Sequence, residues 1–156
     1  MLFSRLSGVR PQKCALILAA VLVALVSGCA SVPMASLEED AARKEFNAPT
    51  DGKAGLYIYR NSNFGSAVKK NIYVDQQFIG QTAPMVYHYV ELDEGEHIVT
   101  TESEFGNNDI LLKAESGVNY FVRAFMKMGL MVAGADIEQV DEAEGKKGVM
   151  ACKLAE

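Results

Sequence analysis

From Gly55 onward the chain is written in short phrases. LYIYR, NIYVD, FIGQT, MVYHYVEL, EHIVTTES, DILLKA, NYFVRAFM and LMVAGA follow one another, rich in Tyr, Val, Ile and Thr and separated by turn residues. β-branched and aromatic side chains suit a pleated, half-buried surface. Many short strands with regular punctuation point to a mainly β fold, an antiparallel sandwich or barrel.

Helix signals flank this region. Ser36-Leu37-Glu38-Glu39 has the Ser-x-x-Glu form of a capping box and leads into DAARKEF, all good helix formers. Pro49 and Gly52 in NAPTDGK then break the pattern, so a short N-terminal helix is expected at about 37–46. Asp141-x-x-Glu144 offers a second box near the C-terminus. Gly145 and Gly148 weaken it and leave helix or strand open there.

Residues 72–106, IYVDQQFIGQTAPMVYHYVELDEGEHIVTTESEFG, resemble a PEGA-type domain, a small β-sandwich module of bacterial surface proteins. The matching features are Val74-Asp75, Gly80 with Thr82 and Pro84, then Leu92, Gly95, His97 and Val99. Gln76 stands where that pattern has glycine, which argues against a turn with positive φ at this position. The resemblance implies one sandwich domain over residues 36–156.

The N-terminus carries a different message. MLFSRLSGVRPQK holds Arg5, Arg10 and Lys13 without an acid, and CALILAAVLVALV follows without a charge. A basic region, a short apolar run and a small-residue processing site make a secretory signal peptide. Residues 14–26 supply 13 apolar positions, short of the roughly 20 that a membrane-spanning helix needs. Val26-Ser27-Gly28-Cys29 resembles the lipobox of exported bacterial lipoproteins. The resemblance implies that Val26, Ser27 and Gly28 are read by a signal peptidase, and that the Cys29 thiol accepts diacylglycerol. Cleavage then frees an amine for a third acyl chain. The expected organisation is a signal at 1–28, a lipidated tether at 29–35 and one globular domain. From lipobox to GKKGVMACKL the chain is similar to a family of small exported lipoproteins of uncharacterised function. Ala30 after the acylated Cys fits outer-membrane sorting of the enterobacterial kind.

Without residues 1–28 the chain keeps twelve basic and twenty acidic residues, a net charge of −8. An acidic protein suits neither nucleic acid nor anionic headgroups, which reward basic patches. Membrane attachment is therefore expected from acyl chains. Cys14 leaves with the signal and Cys29 is acylated, so Cys152 remains alone and the fold stands without an internal disulfide. Its setting in VMACKLA reads as a buried small hydrophobe.

No constellation spells out a reaction. A hairpin closing at Asp93–Glu96 would place Leu92 opposite His97, Val90 opposite Val99 and His88 opposite Thr101. The two imidazoles would then lie roughly 13 Å apart at about 3.3 Å per residue, too far for one zinc ion. Met126, Met128 and Met131 could offer thioethers to Cu(I), but gap-filling is the ordinary use of Met. The carboxylates of ELDEGE lack calcium-loop spacing and read as a solvated turn. No nucleophile elbow or phosphate loop is written. The expectation is a non-enzymatic protein with no metal and no cofactor.

The tyrosines are the interaction candidates. Tyr57 and Tyr59 share one strand face, and Tyr87 and Tyr89 share another. If Leu56, Ile58, Val90 and Leu92 face the core, the four rings point outward. They form either an exposed platform for glycan or protein, or a face packed under a helix. The sequence thus supports a lipid-anchored envelope protein with a structural, assembly or interaction role, bound to the membrane through acyl chains and to an unidentified envelope protein. The alternative is a carbohydrate- or peptidoglycan-binding module using the tyrosine face.

Overall fold

A computed structural model describes residues 31–103, 106–128 and 134–156. Cys29 and the signal residues Val26, Ser27 and Gly28 lie outside the described residues. The elements run α1 (Leu37–Arg43), β1 (Lys53–Arg60), β2 (Lys70–Val74), β3 (Gln77–Thr82), β4 (Val86–Asp93), β5 (Gly95–Ser103), β6 (Gly106–Ala114), β7 (Asn119–Lys127), β8 (Gly134–Val140), α2 (Glu142–Met150) and β9 (Lys153–Leu154).

Both helices start as their sequences specify. The Ser36 Oγ accepts from the Glu39 N–H while the Glu39 carboxylate accepts from the Ser36 N–H, satisfying two groups that a helix start leaves free. Asp141 caps α2 through the Glu144 N–H at 2.9 Å. α1 ends earlier than expected, at Arg43, and Phe46 takes a positive φ of 54° as the chain turns away.

The strands form two facing sheets, mainly β as expected, with orders β8-β7-β1-β4-β9 and β3-β2-β5-β6. The four-stranded sheet is antiparallel throughout, but the five-stranded sheet is mixed: β1 runs parallel to β7, and β4 to β9. The expected sandwich is thus present, with these two parallel pairings inside it. The hairpin of β4 and β5 is corrected. β4 pairs with β1 while β5 pairs with β2 and β6. The chain crosses from one sheet to the other at Glu94-Gly95, where Gly95 takes a φ of 146° that a side chain rarely adopts. The last expected strand is displaced. LMVAGA was the expected segment, whereas β8 runs Gly134–Val140, with residues 129–133 outside the described set.

Between the sheets lies the main core of Leu56, Ile58, Ile72, Val74, Leu92, Val99, Leu112, Val122, Ala124 and Ile137. Leu92 and Val99 thus face inward as read, each from its own sheet. A second core of Tyr57, Tyr59, Tyr87, Phe121, Val149, Cys152 and Leu154 lies on the other side of the five-stranded sheet. The expected tether is partly structured. Met34 forms an antiparallel bridge with Ala155, the Ala35 N–H donates to the Leu154 carbonyl at 3.1 Å, and the Glu156 N–H donates to the Pro33 carbonyl at 3.1 Å.

Candidate functional site

The tyrosine platform is corrected by burial. Tyr57, Tyr59 and Tyr87 are at most 2% exposed, and Tyr89 is partly buried. Helix α1 lies across them. The Tyr57 hydroxyl donates to the Arg43 carbonyl at 2.9 Å, the Tyr87 hydroxyl to the Asp40 carbonyl at 3.3 Å, and the Arg43 guanidinium sits 4.1 Å from the Tyr89 ring centre. Lys44 bridges Asp40 at 2.8 Å and the Cys152 carbonyl at 2.6 Å, tying α1 to the C-terminal segment.

Helix α2 covers the rest through the glycines that argued against it. A Cβ at Gly145 would overlap the Phe121 ring, and one at Gly148 would overlap Tyr59. Their absence lets the helix approach the sheet more closely than its propensity alone would predict. Burial pushes the Tyr59 phenol up to about 12 and raises Tyr87 and Tyr89 as well. These rings are neutral packing groups. Of the two readings, the face packed under a helix is the one the structure has.

Cys152 is 2% exposed, with its thiol 3.5 Å from the Arg60 carbonyl and pushed up by burial to about 12. A thiol so rarely ionised is a poor nucleophile. His88 is also a core group. Its Nε2 lies 3.0 Å from the Gln81 carbonyl, Gly80 leaves room for the ring, and burial lowers its pKa. Among the expected thioethers, Met126 is buried and Met128 is 87% exposed, while Met131 lies outside the described residues.

The opposite outer face, that of the four-stranded sheet, carries no covering helix among the described residues. Side chains alternate along β2, β5 and β6, so Ile72, Val74, Val99 and Leu112 enter the core and Tyr73, Ile98 and Leu111 point out. Tyr73 pairs with Phe78 on one side and Thr100 on the other, and Ile98 pairs with Leu111. The Tyr73 and Phe78 rings meet edge-on, 5.8 Å apart. Phe78, Ile98 and Leu111 are each about half exposed, at 58%, 49% and 55%. Exposed apolar groups gathered on one face mark an interaction surface more often than scattered ones do.

Beside them lies an open depression of about 490 Å³ lined by Tyr73, Asp75, Gln76, Ile98, Thr100 and Asp109. Its edge is the β2–β3 turn. Both Asp75 and Gln76 adopt positive φ, 50° and 68°, correcting the expectation from Gln76. Asp75 holds the turn in place. One carboxylate oxygen accepts from the Ile98 N–H at 2.9 Å, and the other lies 2.6 Å from His97 Nδ1. His97 Nε2 faces the Asp93 carbonyl at 2.9 Å. With an acceptor at each ring nitrogen, the doubly protonated imidazole satisfies both. Burial opposes that charge, but Asp75 and the Asp93 carbonyl outweigh it and raise the His97 pKa. His97 in turn, with the Ile98 N–H, holds the Asp75 carboxyl below its usual range.

Sequence reasoning passed over this face, although a signal was present. IYV, IV and ILL at 72–74, 98–99 and 110–112 are unbroken apolar runs in strands with only one buried face. Strict alternation would have put a polar residue at Tyr73, Ile98 and Leu111.

Among known proteins, residues 50–135 match the family described as "Protein of unknown function (DUF2846)", a span from the approach to β1 to the start of β8. A Haemophilus influenzae protein, titled "Uncharacterized protein", is 51% identical over 131 residues, covering 84% of this chain and 78% of the relative. No solved structure matches. With more than half its length inside the family match and a relative of this similarity, the chain belongs to the DUF2846 family.

Proposed function

We propose that this chain is an exported envelope lipoprotein, acylated on Cys29, whose sandwich serves as a non-enzymatic interaction module. Its working surface is the open face of the four-stranded sheet, and its partner is another envelope protein. The observation that carries this reading is the contrast in cover. One sheet has its outer aromatics sealed under two helices, while the other leaves Phe78, Ile98 and Leu111 half exposed in one patch. Aromatic residues are enriched at protein interfaces, and the buried centre of an interface is more apolar than the surface around it. The signal-like N-terminus, the lipobox and the likeness of residues 72–106 to PEGA-type surface modules support the compartment, and Ala30 supports the outer membrane.

Crosslinking in the intact envelope tests the surface. Wild type should carry a defined protein adduct, and Leu111→Glu should lose it while keeping its fold, because the side chain is exposed. Equal adducts on both would remove this face from the proposal. A glycan reading has one observation of its own: the depression combines the Tyr73 ring with the polar groups of Gln76, Thr100 and Asp109, which suits a sugar with one apolar and one hydroxylated side. Sedimentation with purified peptidoglycan, lost in Tyr73→Ala, would favour it.

A further inference from the structure

The N-terminal segment leaves very little slack. Pro33, Met34 and Ala35 are bonded to the C-terminal residues. Val32 packs on Ala83, Val86 and Ala155, and the Ser31 carbonyl accepts from Lys69 Nζ at 3.0 Å. The chain is thus part of the fold from Ser31 onward, and Cys29 is two residues away. Two residues span at most about 7 Å when fully extended. An acylated Cys29 sits at the boundary of headgroups and acyl chains. Whatever face surrounds Ser31 must then lie at the membrane surface.

That face has matching chemistry. A shallow groove of about 430 Å³ opens beside Ser31, its walls including Val32, Met34, Pro84, Met85, Ala151 and Lys153. Among the described residues Lys153 is the one charged residue lining it, and Lys69 adds a second cation at Ser31. Glu156, the acid in the terminal clasp, does not line it. The chain without its signal carries a net charge of −8, so an apolar groove rimmed by lysines is a local reversal of the overall charge. Apolar side chains in the interface with lysines beside phosphates are how peripheral surfaces seat on a bilayer.

We propose that this groove is a membrane-docking face, seated on the phospholipid surface that holds the acyl chains, with Lys69 and Lys153 beside headgroup phosphates. The proposal rests on the lipidation of Cys29 and adds an orientation to it: the domain is held flat against the leaflet rather than swinging on a tether. A protein covering the groove is the competing occupant. The acylated full chain, reconstituted in vesicles of phosphatidylethanolamine and phosphatidylglycerol, decides. Acylation blocks Cys29 and burial protects Cys152, so single labels go onto Met85→Cys or Leu111→Cys. Nitroxide-bearing lipids should quench a fluorophore at position 85 several-fold more than one at 111. Adding Lys69→Glu and Lys153→Glu should reduce the difference. Equal quenching at the two positions, with acyl chains on Cys29 confirmed by mass, overturns the docking face and leaves lipidation standing. An unmodified Cys29 overturns the lipidation and the docking face together.

Discussion

The two sheets of this protein have outer faces built from similar side chains and finished in opposite ways. On the five-stranded sheet, Tyr57, Tyr59, Tyr87 and Phe121 lie under α1, α2 and the terminal segments. On the four-stranded sheet, Tyr73, Phe78, Ile98 and Leu111 meet solvent or nearly so. Aromatic content alone therefore does not mark a binding face. What separates the two is whether the chain has spare length to lay over them. Among the described residues α1 and α2 both come from outside β1–β8, and both lie over the five-stranded sheet.

The largest effect should come from removing equivalent rings. Phe121 is 1% exposed and stacks on Tyr57 with centres 5.1 Å apart. Phe121→Ala should cost about 3–5 kcal/mol by transfer and cavity terms. Phe78→Ala, at 58% exposure, should stay within about 0.5 kcal/mol. Denaturant melts of the two variants check this, and equal losses would erase the distinction between the faces.

An intermediate effect is expected where α2 touches the sheet. Gly148→Ala adds a methyl group where the Tyr59 ring already lies. Overpacking of this kind costs about 1–3 kcal/mol, although alanine is the better helix former. Stability should fall, and tyrosine nitration should rise as the helix lifts. A more stable Gly148→Ala would mean that α2 is not closely seated.

Much of this was legible, and the line between legible and hidden follows sequence distance. The two helix starts depend on residues three apart, and both are found where Ser36 and Asp141 place them. Strand positions depend on local composition and were mostly right. Pairing is non-local, and local composition does not carry it. β4 and β5 are nearly adjacent in sequence and look like a hairpin, but the chain crosses at Gly95 to the other sheet. Apolar character points to LMVAGA, ahead of where β8 runs. Its outward side chains are Asp136 and Glu138, paired with Lys127 and Arg123 of β7, so half of the strand reads as polar. Gly145 and Gly148 lowered helix propensity for a tertiary reason that no single window of sequence contains.

The smallest effect concerns the corner of the open face. His97 has a raised pKa in the folded state, so its contribution is fully present below the unfolded value of about 6.5 and fades as pH rises through the folded one. Asp75 has a lowered pKa, so its contribution holds above the unfolded value of about 3.9 and fades as pH falls through the folded one. The clamp between them should be strongest between those limits. With Asp75 half exposed to solvent, the pair is worth under about 1 kcal/mol. Stability of wild type should decline slightly from pH 6 to pH 8 relative to His97→Gln. Parallel profiles would show that the clamp contributes nothing measurable.

The clasp of the two chain ends has a mechanical meaning. A pull on the N-terminus passes the Ser31 contact with Lys69 and the packed Val32 side chain, then arrives at the bonds that join Pro33 to Glu156 and Ala35 to Leu154. It reaches the main core only after those bonds part. The clasp is short, while Leu56 and Val122 sit in paired central strands, so tension yields the ends before the sandwich. What such yielding loosens is β9 and, through Lys44 and the Cys152 carbonyl, the cover of α1 over the tyrosines. Strain entering from the N-terminus would thus be spent on the sealed face, leaving the open one in shape.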